Sequence, residues 1–137
     1  MKHILTIILA AVLLAFPAGA QSAQNKKINK KNLVIKEWIT KGNSTKPILD
    51  HITTYSPEGK KIEEIEYGDN RQKWRKRYEY SAAGKVSREL IYDEHNRLVN
   101  YKKFEYNEFG RKKIQTTYDS KGRLLSTKQY EYIAEDA

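Results

Sequence analysis

The chain has 137 residues, a formal charge of +9 and no cysteine. That length suits one domain, and the missing cysteine excludes both disulfides and lipid attachment at a cleavage-site cysteine. The basic balance points to acidic partners such as anionic lipid, acidic polysaccharide or nucleic acid. In chain order, residues 1–20 read MKHILTIILAAVLLAFPAGA: Lys2, an apolar run from Ile4 to Phe16, then Pro17 and Ala18-Gly19-Ala20. This pattern predicts a secretory signal peptide cleaved after Ala20, and the run is too short to serve as a transmembrane anchor. The expected location is therefore periplasmic, cell-surface or extracellular, with no nucleic-acid partner and no transmembrane span expected in the mature chain. Residues 21–32, QSAQNKKINKKN, read as a lysine-rich flexible segment. Residues 33–137 are expected to form one β-repeat domain.

Within that domain one phrase recurs: YSPEGK from Tyr55, YSAAGK from Tyr80, YDEHNR from Tyr92, YNEFGR from Tyr106 and YDSKGR from Tyr118. The tyrosines at 55, 67, 80, 92, 106, 118 and 132 are spaced by 12, 13, 12, 14, 12 and 14 residues. The unit is thus two phrases, about 26 residues, a period typical of stacked supersecondary elements. Between phrases lie short alternating runs rich in Tyr, Ile, Val, Thr and Leu, the pattern of β-strands. Asp119 can open a type I turn by accepting a backbone amide, and Gly122 supplies the positive φ that closes the hairpin. Ser56, Ser81, Asp93 and Asn107 repeat the first role. Gly59, Gly84, Gly110 and Asn96 repeat the second, and Asp69-Asn70 suits a two-residue turn.

The predicted fold class is all-β: an antiparallel hairpin meander of about seven to eight strands, forming a strongly curled single sheet or a barrel-like one. If each phrase tyrosine faces the residue two past the turn and side-chain parity survives the turn, a register follows. It sets Glu64 opposite Arg75, Glu66 opposite Lys73, Arg77 opposite Glu89 and Glu105 between Lys85 and Lys113. The other face then carries all the phrase tyrosines, in rows such as Ile65–Trp74–Tyr92–Leu98 and Tyr80–Val86–Phe104–Ile114.

The turn phrase resembles the tyrosine–aspartate repeat of the Rhs/YD family over residues 55–132. YDSKGR matches fully, YDEHNR departs at Asn96, and the phrases at 55, 80 and 106 depart at the aspartate position. Larger members of that family build β-shells or take part in adhesion and carbohydrate contact; this chain has too few repeats for a shell, and the resemblance implies an exported β-repeat protein. It transfers no catalytic residue and no cofactor.

The residues themselves offer little catalytic chemistry. His51 and His95 have no second histidine at metal spacing, and Glu63, Glu64 and Glu66 read better as ion-pair partners than as a carboxylate site. A non-enzyme is expected, without metal or cofactor. The candidate binding site lies on the tyrosine face, where the register puts Arg88 opposite Lys102 with Tyr78 in the same row and Trp74 nearby. Lys76, Lys112 and Lys128 share that face. Cations beside aromatic platforms suit an anionic saccharide or envelope polymer. The competing expectation is a protein-interaction, immunity-like or adaptor module that covers its aromatic face with a partner or a second copy.

Overall fold

The computed structural model describes residues 27–134. The predicted signal peptide therefore lies outside the described residues. One sheet holds eight antiparallel strands in strict chain order: β1 (Val34–Ile39), β2 (Ile48–Tyr55), β3 (Lys61–Gly68), β4 (Arg71–Tyr80), β5 (Val86–Tyr92), β6 (Leu98–Tyr106), β7 (Lys112–Asp119) and β8 (Leu124–Gln129). The described residues contain no helix long and apolar enough to cross a membrane.

The turns form as their residues dictate. In the β4–β5 hairpin the Ser81 amide donates to the Lys85 carbonyl at 2.8 Å and the Gly84 amide to the Ser81 carbonyl at 2.9 Å. The same two bonds recur from Ser56, Asp93, Asn107 and Asp119. Gly84 sits at φ +77°, and Asn96 takes the corresponding place at +59°. At the β3–β4 turn both Asp69 and Asn70 have positive φ, as a two-residue hairpin turn requires.

The expected register holds only as far from each turn as the phrase tyrosine, for instance Tyr80 opposite Val86 and Tyr92 opposite Leu98. One residue past that tyrosine each hairpin from β2–β3 to β7–β8 slips. Glu79 faces Arg88, which leaves Ser87 as an extra residue on β5. Ile62, Lys73, Val99, Lys113 and Leu125 are the equivalent extras on the outgoing strands of their hairpins. Each is a β-bulge, and a bulge shifts the alternation by one. The predicted pairs are corrected accordingly: Glu64 faces Lys76, Trp74 faces Glu66, Tyr78 faces Glu89, and Glu105 faces Ile114. The phrase tyrosines consequently divide. Tyr80 and Tyr106 stay on one face, whereas Tyr92 and Tyr118 project from the other.

Successive units are staggered as expected. Lys76 leads across β5 to Asn100, two residues short of its equivalent, Lys102. The sheet nevertheless stays open, and the expected closure or strong curl is not formed. Among the described residues contacts join only strands adjacent in sequence, which leaves β1 and β8 as the edges of the sheet, and all six residues of each are exposed. Among the described residues Phe104 is the only large apolar side chain that is buried. Cationic stems take the place of a second layer: Lys60 lies over Tyr80, Arg75 over Tyr92 and Lys112 over Phe104, at 5.0, 4.2 and 4.4 Å from the ring centres. Stems laid on rings shield apolar surface while the charges stay in water, which removes the drive to fold the sheet over. The end of the lysine-rich segment is tied to this sheet, since the Asn32 amide donates to the Ser56 carbonyl and Lys30 covers Tyr55.

Candidate functional site

Cross-strand partners share a face, so the ladder sorts the side chains. A front face holds His51, Glu64 and Glu66, then Trp74, Lys76 and Tyr78 on β4, Glu89 on β5, Lys102 and Phe104 on β6, and Lys128 on β8. The back face holds Arg75, Arg77, Glu79, Arg88, Tyr101 and Tyr118.

Of the four candidate binding residues, three meet on the front. Tyr78, Glu89 and Lys102 form one row, and Trp74 lies four residues from Tyr78 on the same strand. Arg88 is separated from them. The bulge at Ser87 turns it to the back, opposite Lys103 and Glu79. There its guanidinium grips Glu79 in a fork of 2.6 and 2.9 Å. That pairing raises the Arg88 pKa and lowers the Glu79 carboxyl below its ordinary value. The expected Arg88–Lys102 contact therefore does not form.

One end of the front face is centred on Glu64. Burial opposes its ionisation, but the Tyr78 hydroxyl, the Lys61 ammonium at 3.0 Å and the charge of Lys76 together hold its carboxyl below the usual range. Conversely, burial and then the bond to Glu64 push the Tyr78 phenol up. His51 Nδ1 lies 2.9 Å from Glu66, and its ring meets Trp74 edge-on. These groups are occupied with one another, and among the described residues no cluster of His, Asp and Glu could hold a metal ion.

The rest of the front face is built differently. Residues 76–80, 102–106 and 128–132 read KRYEY, KKFEY and KQYEY, each a lysine followed two residues later by a ring. Lys76 lies 5.6 Å from the Trp74 ring centre and 6.0 Å from that of Tyr78, and Lys128 lies 5.7 Å from that of Tyr130. Among the described residues none of Lys76, Lys102 and Lys128 reaches an acid within ion-pair distance. By contrast Arg75, Arg77, Arg88, Arg97 and Arg123 are all paired with Glu or Asp. The predicted register already puts Lys76, Lys102 and Lys128 together on one face, and the signal it leaves out is that they recur at one position of the repeat, 26 residues apart. In the first unit His51 occupies the lysine position, 25 residues before Lys76, with Thr53 in place of the ring.

No family model matches the chain, and no curated protein does. The crystal structure of the GtfA/B complex bound to UDP and GlcNAc is similar over 67% of this chain and 19% of that one, at 14% identity and a TM-score of 0.30. The crystal structure of TarM is similar over 77% of this chain and 25% of that one, at 18% identity and a TM-score of 0.32. The chain thus corresponds to no more than a quarter of either, and a superposition this loose decides neither fold nor activity.

Proposed function

We propose that this protein is an exported, non-catalytic binding module that uses the front face of its sheet to hold an anionic saccharide or envelope polymer. The observation that carries the reading is the series Lys76, Lys102 and Lys128, none of them within ion-pair distance of an acid among the described residues and the outer two beside aromatic rings, on a sheet whose arginines are largely neutralised by acids. A ring offers its face to the apolar side of a sugar, and a neighbouring ammonium meets a carboxylate or phosphate. Export is supported by the composition of residues 1–20. Titration calorimetry with acidic oligosaccharides should show binding that weakens as salt rises. The triple variant Lys76→Gln, Lys102→Gln, Lys128→Gln should stay folded and lose that binding. Equal binding of neutral sugars, or an unaffected triple variant, would overturn the proposal.

A second reading rests on the two bare edges. β1 exposes Trp38 at 59% and β8 exposes Leu124 at 62%, and each edge leaves a row of backbone groups free for another strand. A protein partner or second copy adding a strand there would raise the solution mass, with little dependence on salt.

A further inference from the structure

We infer that the polymer held by the front face carries its anionic groups sparsely, about one per two sugar units, and crosses the strands on a diagonal. The inference rests on the binding function proposed above. Lys76, Lys102 and Lys128 lie on every second strand, and each is displaced two residues along its strand from the row of the one before. With strands about 4.8 Å apart and about 3.4 Å per residue, neighbouring lysines in the series stand about 12 Å from one another. The rings of Tyr78, Phe104 and Tyr130 follow at the same interval; Phe104 is buried beneath Lys112, so the open platforms are those of Tyr78 and Tyr130 beside the outer two lysines.

What lies between the lysines sets the selectivity. The line from Lys76 to Lys102 crosses β5 between Ile91 and Glu89, and Glu89 directly faces both Tyr78 and Lys102. No cation comes within ion-pair distance of the Glu89 carboxylate among the described residues. Between Lys102 and Lys128 the line crosses β7 beside Thr117 and Gln115, which are neutral. A chain with a charge on every sugar would bring a carboxylate against Glu89, and like charges in contact on a sheet repel. A chain with a charge on every second sugar places neutral hydroxyls there and its carboxylates on the lysines. Glu89 thus acts as a specificity residue by exclusion.

Hyaluronate fragments, with one carboxylate per disaccharide, and polygalacturonate fragments, with one per sugar, supply the test at matched length and fixed salt. Hyaluronate fragments should bind more tightly. Their affinity should rise about tenfold or more as the fragment lengthens from one carboxylate to three, because later contacts become intramolecular. Glu89→Gln should narrow the gap by improving polygalacturonate binding by a larger factor than hyaluronate binding. Equal or tighter binding of polygalacturonate by the parent, or a Glu89→Gln variant that improves both alike, overturns the spacing and leaves the binding function standing. If neither polymer binds, the binding function itself falls, and the spacing with it.

Discussion

The two ends of the sheet use one turn phrase to different effect. At the end formed by the β2–β3, β4–β5 and β6–β7 turns, the phrase opens with Ser56, Ser81 or Asn107. Its closing cation reaches outward: Lys60 lies over Tyr80 and donates to the Gly84 carbonyl at 2.9 Å, Lys85 lies over Tyr106, and Arg111 over Tyr132. The tyrosine hydroxyls reach back, with Tyr80, Tyr106 and Tyr132 donating to the carbonyls of Lys61, Val86 and Lys112 at 2.6, 2.7 and 2.7 Å. At the opposite end the β5–β6 and β7–β8 turns open with Asp93 and Asp119, and each aspartate captures its own closing arginine, at 2.9 Å for Arg97 and 2.6 Å for Arg123. There the closing cations stay inside their own turns, and the link to the neighbouring hairpin comes instead from Gln72, which donates to the Asp93 carbonyl and to Asn96 Oδ1, both at 2.8 Å. The residue that opens the phrase decides whether the closing cation serves its own hairpin or the next one.

The largest effect expected from breaking this contrast comes from the glycines. Gly84→Ala and Gly122→Ala both place a side chain at positive φ, +77° and +80°, and each should lose about 1–2 kcal/mol on that account. At Gly84 the new Cβ would also lie 2.7 Å from the Lys60 ammonium, whereas at Gly122 the nearest atom is the Tyr101 hydroxyl at 3.6 Å. Gly84→Ala should therefore be the more costly of the two in denaturant midpoint at unchanged slope. Equal losses would mean that the outward-reaching lysine adds nothing.

A smaller effect separates the tyrosines. Tyr106→Phe removes the bond to the Val86 carbonyl and should lower stability by about 1 kcal/mol. Tyr92→Phe removes a hydroxyl that makes no hydrogen bond among the described residues, and its ring keeps the Arg75 guanidinium at 4.2 Å. It should leave the denaturant midpoint unchanged. A Tyr92→Phe loss as large as that of Tyr106→Phe would erase the distinction between the ends.

The smallest and most specific test converts one end into the other. In Asn107→Asp the new carboxylate should draw Arg111 away from Tyr132 and into its own turn. The carboxyls of Asp93 and Asp119 are held below the usual aspartate range, first by the backbone amides of Arg97 and Arg123. A carboxyl depressed in the folded state stabilises fully above its unfolded pKa, about 3.9, and loses that contribution as pH falls through the folded value. Asn107→Asp should consequently match the parent near neutral pH and lose more melting temperature below pH of about 4. Superimposable melting-temperature profiles would show that the opening residue does not govern the closing cation.

The turns were legible because their chemistry is local. An amide acceptor followed by a glycine or asparagine at positive φ specifies the hairpin whatever surrounds it, as at Asn107-Gly110 and Asp93-Asn96. The bulges were not legible, because Ile62, Lys73, Ser87, Val99, Lys113 and Leu125 share no side-chain property. Charge pairing could not expose the error either. Runs such as Glu63-Glu64 and Arg75-Lys76-Arg77 meet acid to base in both registers: the predicted Glu64–Arg75 is replaced by Glu64–Lys76 and Glu63–Arg77. The front-face site was read in part. Trp74, Tyr78 and Lys102 do share a face, but Arg88 follows the one-residue slip to the other side and into the grip of Glu79. Curvature was misjudged because its driving force, bare aromatic surface, is already covered by lysine and arginine stems.

The open ladder has a consequence for how the protein comes apart. Among the described residues each strand touches only the strand or strands beside it in sequence, so the energetics are those of a one-dimensional chain of coupled links, with no tie between its ends among those residues. Opening starts at β1 or β8, where each strand has a single neighbour to leave, and advances inward one link at a time. Amide exchange is then graded from fast at the rims to slow around β4 and β5. The middle of the lysine series outlasts its outer member on β8, so a polymer bound across all three lysines as proposed would also splice the last two hairpins to the centre.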